Sequence, residues 1–330
     1  MLKRKLSRKH KNSKFTYYAS NAIKHLIPNF IYRNSLSTRL HKLSDYDKDY
    51  IKLRVNYYNK LREVISLSDD IKALRFFKKG ERHSAYYYDS YEFTRYFNPE
   101  LKAGFKFGDV TYVPNEPSIV KSRPIEGDVS NSIILKLVKI RHFTFVEDNK
   151  PFSEKKSMLV GRSHVTQEHR VRFLDMYINH PRCNLGKINN NGKLNHLLRD
   201  YLSIEEHLNY KFILCLEGND VASNLKWVMS SNSLPIMPLP KYETWYMEGT
   251  LIPNFHYVQI KDDYSDLIEK MDYYSSHIDE AQAIIDNAHQ YVSQFWDNKR
   301  EDLISLLVLQ KYFYKTGQIE VSPELRALFD

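Results

Sequence analysis

Residues 210–226 constrain the fold of this chain more than any other stretch. A short apolar run, Phe212 to Leu216, breaks off at Glu217-Gly218-Asn219-Asp220 and gives way to a helical pattern through Leu225, Val228 and Met229. The run has the length and Ile/Leu/Phe content of a buried strand. Strand, tight polar turn and helix is the geometry in which α/β proteins hold nucleotides, with phosphates facing the N–H groups of a helix start. On that reading Glu217 leaves the strand where a ribose hydroxyl would be bound, and Asn224 and Lys226 stand in the first helical turns. An ordinary turn with Asp220 as helix N-cap accounts for the same residues and is the simpler reading of them alone.

The rest of the second half repeats the alternation. Strands are expected at 157–160, 211–216, 233–237 and 256–260, and helices at 166–178, 221–230, 263–275 and 278–296, which argues for a mostly parallel sheet covered by helices. The last of these helices carries Ala281, Ile284, Ile285, Ala288, Val292 and Phe295 on one face. A hydrophilic joint at 147–151 separates this half from an N-terminal domain over 45–150. That domain is expected to open with a helix over 45–67 and to close with one around 133–138. The expected second domain runs over 151–300, and helices in 301–330 are expected to cross back to the first. Hydrophobic residues at 42% exclude a disordered chain. Cys183 and Cys215 have no metal-ligand spacing, and Cys215, inside the expected strand, suits a reduced thiol.

The formal net charge is +9, yet residues 1–44 hold eleven Lys or Arg and no Asp or Glu, so subtracting them leaves residues 45–330 at −2. Behind the basic cluster, Ile23, Leu26, Ile27, Phe30 and Ile31 recur at near-helical spacing around Pro28. A basic, amphipathic arm over 1–44 fits docking on an anionic membrane surface; a solvated tail is the plain alternative. Nucleic acid is not an expected partner, because no further basic stripe or binding motif follows. The first fourteen residues are too charged for a signal peptide, and no apolar run reaches bilayer length, so a cytoplasmic protein peripheral to the inner face of the inner membrane is expected.

Several segments in order resemble one family. They are Tyr242-Glu243-Thr244-Trp245-Tyr246, the stretch from Asn254 through Tyr257 to Asp263, and Lys155 to Ser163 with Thr166, Glu168 and Arg170. Gly108-Asp109-Val110-Thr111, Val120 to Ile125 and Arg141-His142-Phe143 continue the likeness over residues 100–300. Together they resemble the CAP10-like glycosyltransferases, family 90, in its bacterial lipopolysaccharide-core branch. The resemblance implies a GT-B fold, two Rossmann-like domains facing a cleft. It also implies an inverting enzyme that moves glucose or galactose from a UDP-sugar to a lipopolysaccharide or lipooligosaccharide core, with no cofactor.

For the site, the resemblance implies that Gly161, Arg162, Ser163, Thr166 and Arg170, with Glu217, Gly218, Asn219, Asp220, Asn224 and Lys226, bind the nucleotide sugar. Asp109 is implied as the base that deprotonates the acceptor, although a turn role explains it equally well. Animal relatives carry an arginine where this chain has Asn224, which shifts the diphosphate charge onto Arg162 and Arg170. Lys121, Arg123 and Arg141 are expected either as phosphate or acceptor contacts or as plain surface charges. No metal is expected, since Asp45, Asp47 and Asp49 precede a helix and complement its dipole. Rival readings are transfer to a capsular polysaccharide or protein hydroxyl, and a non-catalytic membrane-docked scaffold.

Overall fold

The computed structural model describes His10, residues 12–80 and residues 83–330. The basic cluster from Lys3 to Lys9, with Lys11, lies outside the described residues. In chain order the helices begin with α1 (Lys14–His25), α2 (Asn29–Leu40), α3 (Lys48–Tyr58), α4 (Ser84–Thr94), α5 (Lys139–His142) and α6 (Glu168–Tyr177). They continue with α7 (Ile204–His207), α8 (Leu225–Met229), α9 (Leu267–Ser276), α10 (Ile278–Ser293), α11 (Asn298–Lys315) and α12 (Pro323–Phe329). The strands are β1 (Gly104–Lys106), β2 (Ser118–Val120), β3 (Ser122–Pro124), β4 (Ser132–Ile134) and β5 (Lys156–Ser163). After them come β6 (Cys183–Lys187), β7 (Tyr210–Leu214), β8 (Leu234–Met237), β9 (Tyr242–Thr244) and β10 (Val258–Gln259).

These elements form two compact units. A sheet unit comprises residues 141–240 and 248–294 with His10 and Asn12; a helical unit comprises the described residues of 13–140 with 241–247 and 295–330. The division falls at 140/141 and not at the hydrophilic joint, because the joint is tied into the sheet unit. There the Asp148 carboxylate accepts from Lys155 Nζ at 2.7 Å and from the Asn232 N–H at 2.9 Å.

The sheet unit is built on a five-stranded sheet, β10-β8-β7-β5-β6, in which every pairing is parallel. Its central strand explains the apolar run that first marked it: Phe212 and Ile213 are both fully buried, as a strand covered on two faces requires. The edge strand β6 was not anticipated, since its Cys-Asn-Leu-Gly-Lys sequence carries little β signal. On α10, Ala281, Ile284, Ile285, Ala288 and Val292 are buried at helical spacing.

The helical unit packs around α11, whose Leu303 to Leu309 run is buried throughout, with Asp297 capping it through the Lys299 and Arg300 N–H groups. A three-stranded parallel sheet, β1-β2-β4, and an antiparallel pair, β3-β9, complete it. Two expectations are corrected. The helix over 45–67 ends at Tyr58, because Asn59 turns the chain, its Oδ1 accepting from Leu61 N at 3.1 Å and its Nδ2 donating to Val308 O at 3.2 Å. Residues 133–138 form no helix; Ser132–Ile134 is a strand, a distinction that short apolar runs do not reveal by periodicity. Residues 13–44 fold as α1, α2 and a 3-10 turn, held where Tyr17 donates to Asp89 at 2.7 Å and Arg95 donates to the Lys24 carbonyl at 2.8 Å. Among the described residues no helix is long and apolar enough to cross a membrane.

Candidate functional site

In the sheet unit the chain leaves β5 and β7 at neighbouring carboxyl ends, the place where parallel sheets present their ligands. Arg170, in the first turn of α6, locks these ends together. Its Nε donates to the Glu217 carbonyl at 2.8 Å, Nη1 to His164 O at 2.7 Å and Nη2 to Leu216 O at 2.8 Å. Alongside, His169 Nε2 meets the same Glu217 carbonyl at 2.9 Å, and Gln167 Nε2 donates to Asn219 Oδ1 at 2.7 Å. Gly218 lies against this guanidinium, so that a Cβ there would stand 3.3 Å from Arg170 Nη2. A guanidinium has five N–H donors, so the three carbonyls leave Arg170 two more.

Arg141 completes the group. It is exposed, and among the described residues no atom accepts a hydrogen bond from it. Burial first, and the neighbouring Arg141 second, pull the Arg170 guanidinium down to about 10, with Glu217 opposing. Two electrostatically coupled cations with spare donors are the chemistry of an anion site. The sequence singled out Arg170 and Glu217 to Asn219; it missed His164, Gln167 and His169. Their signal was position, since they flank Arg170 at the loop-to-helix junction.

The other expected donor residues fall into different roles. Gly161 lies inside β5, opposite Leu185, where a Cβ would press to 3.1 Å on Leu185 and Leu214; it is a packing glycine and not part of a phosphate loop. Arg162 turns to the edge strand, donating to Asp200 O at 2.8 Å, Asn184 O at 2.7 Å and Asn184 Oδ1 at 2.7 Å, and also to Gly161 O. Burial lowers its guanidinium from the ordinary value. Ser163 closes β5 and accepts from Ile188 N through its carbonyl, while Thr166 is exposed in the loop that follows. Asn224 holds the end of β7, donating to Leu214 O at 2.9 Å, and Asp220 is buried with its carbonyl accepting from Gly218 N. Lys226 is fully buried in an ion pair with Glu248 at 2.5 Å, which commits its ammonium inside the unit and corrects its assignment to the diphosphate.

In the helical unit Asp109 is exposed and follows Gly108, whose φ of +113° is open to glycine but not to other residues. Lys121, nearly fully buried, reaches Asp109 at 2.6 Å and so fixes the carboxylate's direction. Arg123 is completely buried. It pairs with Glu243 at 2.8 Å across β3-β9 and donates to the carbonyls of Tyr57, Tyr58 and Ser132. Its expected phosphate contact is therefore corrected to a structural role, since burial without anionic ligand access demands the partners it has. Lys121 and Arg123 thus serve different partners inside the helical unit, and Arg141 belongs to the sheet unit. Asp47 caps α3 by accepting from the Asp49 and Tyr50 N–H groups. Among the described residues no three His, Cys, Asp or Glu side chains come together in a way that would hold a metal. Both cysteines are free and buried, and burial pushes the Cys183 thiol up to about 12.

The profile of glycosyl transferase family 90 matches residues 145–313. O-glucosyltransferase LpsA of Dichelobacter nodosus is 44% identical over 263 residues, 80% of this chain and 82% of that protein. Uncharacterized protein 035R of Invertebrate iridescent virus 3 is 29% identical over 102 residues, 30% of this chain and 9% of that protein.

Proposed function

Since the chain belongs to glycosyl transferase family 90, we propose that it is an inverting hexosyltransferase that moves glucose from UDP-glucose to a lipopolysaccharide or lipooligosaccharide core. The observation that carries the donor side is the pairing of Arg170 with Arg141 at the carboxyl ends of β5 and β7. Transfer from a nucleotide sugar releases a diphosphate, and preorganised cations with unused donors stabilise that developing charge. Glu217 and the 217–220 turn stand where the nucleoside would rest, and Asp109, steered by Lys121, is the proposed base that takes the acceptor proton. The choice of glucose rests on the Dichelobacter relative being named an O-glucosyltransferase; galactose is the second sugar to test. The GT-B arrangement and a metal-independent reaction belong to the same proposal.

A membrane-borne acceptor suits the surface of α1 and α2. Neither helix buries a residue fully, and Phe15, Ile23, Leu26, Phe30 and Ile31 are all exposed. With eleven basic and no acidic residues in 1–44, this apolar face is complementary to an anionic lipid surface. We therefore propose peripheral docking at the cytoplasmic face of the inner membrane. The test of the donor assignment is direct. The purified chain is titrated with UDP, and UDP release from UDP-glucose and UDP-galactose is followed; binding with slow hydrolysis of one sugar supports the reading, and no nucleotide binding favours a scaffold.

A further inference from the structure

The helical unit holds a cavity of about 200 Å³ enclosed by α1, α2, α4 and α11. Its wall mixes aromatic rings with polar and charged side chains, so flat apolar surface and placed donors and acceptors stand together as in other small-ligand pockets. Several of the charges around it are already committed. Lys24 pairs with Glu92 at 3.0 Å, and Arg95 spends its donors on Asn29 Oδ1 and the Lys24 and Ile27 carbonyls while lying 3.6 Å over the Tyr32 ring.

What remains is the informative part. Asp302, Arg39, Tyr32, Tyr88 and Tyr96 line the cavity, and none of their side chains has a hydrogen-bond partner among the described residues. Asp302 is half-buried on α11, and Arg39 sits 5.1 Å over the Tyr96 ring. A half-buried carboxylate with no donor from the protein is open to hydroxyl donors from a ligand. Burial raises the Asp302 carboxyl from its ordinary value, against the pull of Lys139, Lys136 and Arg39.

We infer that this cavity is a glycan subsite that takes one neutral hexopyranose residue. One carboxylate accepts two adjacent sugar hydroxyls, one guanidinium donates to a hydroxyl or the ring oxygen, and tyrosine rings present flat apolar surface to the sugar's C–H face. The lining carries three cations, Lys24, Arg39 and Arg95, against two carboxylates, Glu92 and Asp302, so no strong field of one sign selects a phosphorylated or acidic sugar over a neutral one. The site lies on the helices that carry the exposed apolar face, so it would grip a sugar of the acceptor other than the reacting one. That placement rests on the glycosyl-transfer reading; the binding itself does not.

The test uses the full chain and two variants, Asp302→Asn and Arg39→Ala, with the melting temperature of each as a folding control. Arg39 is exposed, so its removal leaves the fold intact. Saturation-transfer NMR is run with methyl glucoside, methyl galactoside and glucose 6-phosphate, and deacylated core oligosaccharide is titrated in parallel. Expected are signals from a neutral methyl hexoside, weaker ones from glucose 6-phosphate, and about tenfold weaker oligosaccharide binding in each variant, the equivalent of about 1.4 kcal/mol. UDP affinity and UDP-sugar hydrolysis stay at the wild-type level. Variants that bind the oligosaccharide as tightly as wild type overturn the subsite, even where UDP-sugar turnover is normal. Loss of glycan binding in the variants of a chain that never binds UDP keeps the subsite and removes the transferase reading.

Discussion

Replacing Arg170 by alanine separates the two roles that the structure gives this side chain. Its three donations to the carbonyls of His164, Leu216 and Glu217 are each worth about 0.5–1.5 kcal/mol net. The residue is only half-buried, and water replaces part of the loss, so folding stability should fall by about 1–2 kcal/mol. For a domain of this size that lowers the melting temperature by about 2–4 °C per kcal/mol. The chemical step should suffer more. Removing a preorganised electrostatic donor costs about 2–4 kcal/mol in the transition state, which is roughly 30- to 1,000-fold in rate. UDP affinity, followed by calorimetry, should fall with it. Arg170→Lys keeps the positive charge but cannot span three carbonyls. It should recover part of the UDP affinity and little of the melting temperature. An Arg170→Ala protein that melts lower yet binds UDP and turns over like wild type would leave Arg170 a structural clamp only.

Four further outcomes are expected. Asp109→Asn keeps the shape beside Lys121 but cannot take a proton, so transfer should drop by roughly two to four orders of magnitude with UDP affinity unchanged; near-normal transfer would move the base to Glu116 or Asp128. Arg123→Met strands a buried Glu243 and should cost about 3–5 kcal/mol in denaturant unfolding, whereas a marginal loss would mean that the pair is not held as described. Burial pushes the Asp89 carboxyl up to about 6, against Lys139 and the Tyr17 hydrogen bond. The stability tied to its proton is therefore complete below the unfolded value and disappears as pH rises through about 6. Asp89→Asn should flatten that slope, worth about 3 kcal/mol. Glu92 acts only lower: burial would raise it, but Lys139 and Lys24 hold it at about 2, so its contribution is lost as pH falls towards that value. Finally, Leu26→Glu with Phe30→Glu should shift the chain from anionic vesicles to the supernatant in sedimentation; unchanged binding would place the anchor elsewhere, in the basic cluster before Lys14.

Much of the sheet unit was legible because its signals are local. Phe212 and Ile213 form an uninterrupted apolar run, and α10 repeats its buried residues at helical spacing. The helical unit hid more. Its strands are three residues long, and β4 reads like a helix until it pairs with β2. Charge was the least legible property. Arg123, Lys226 and Arg141 look alike in the sequence, yet two are sealed in ion pairs by residues 120 and 22 positions away, and the third is exposed. Periodicity carries no information about such distant partners, and they decide whether a cation serves the fold or a ligand.

Hexose transfer is read from the mass of the product. The purified chain is incubated with UDP-glucose and deacylated core oligosaccharide from a strain lacking this protein, without added metal and with EDTA present. An acceptor heavier by one hexose is expected, with UDP released in equal amount. An acceptor of unchanged mass with both UDP-glucose and UDP-galactose, in a chain shown to be folded, would contradict it.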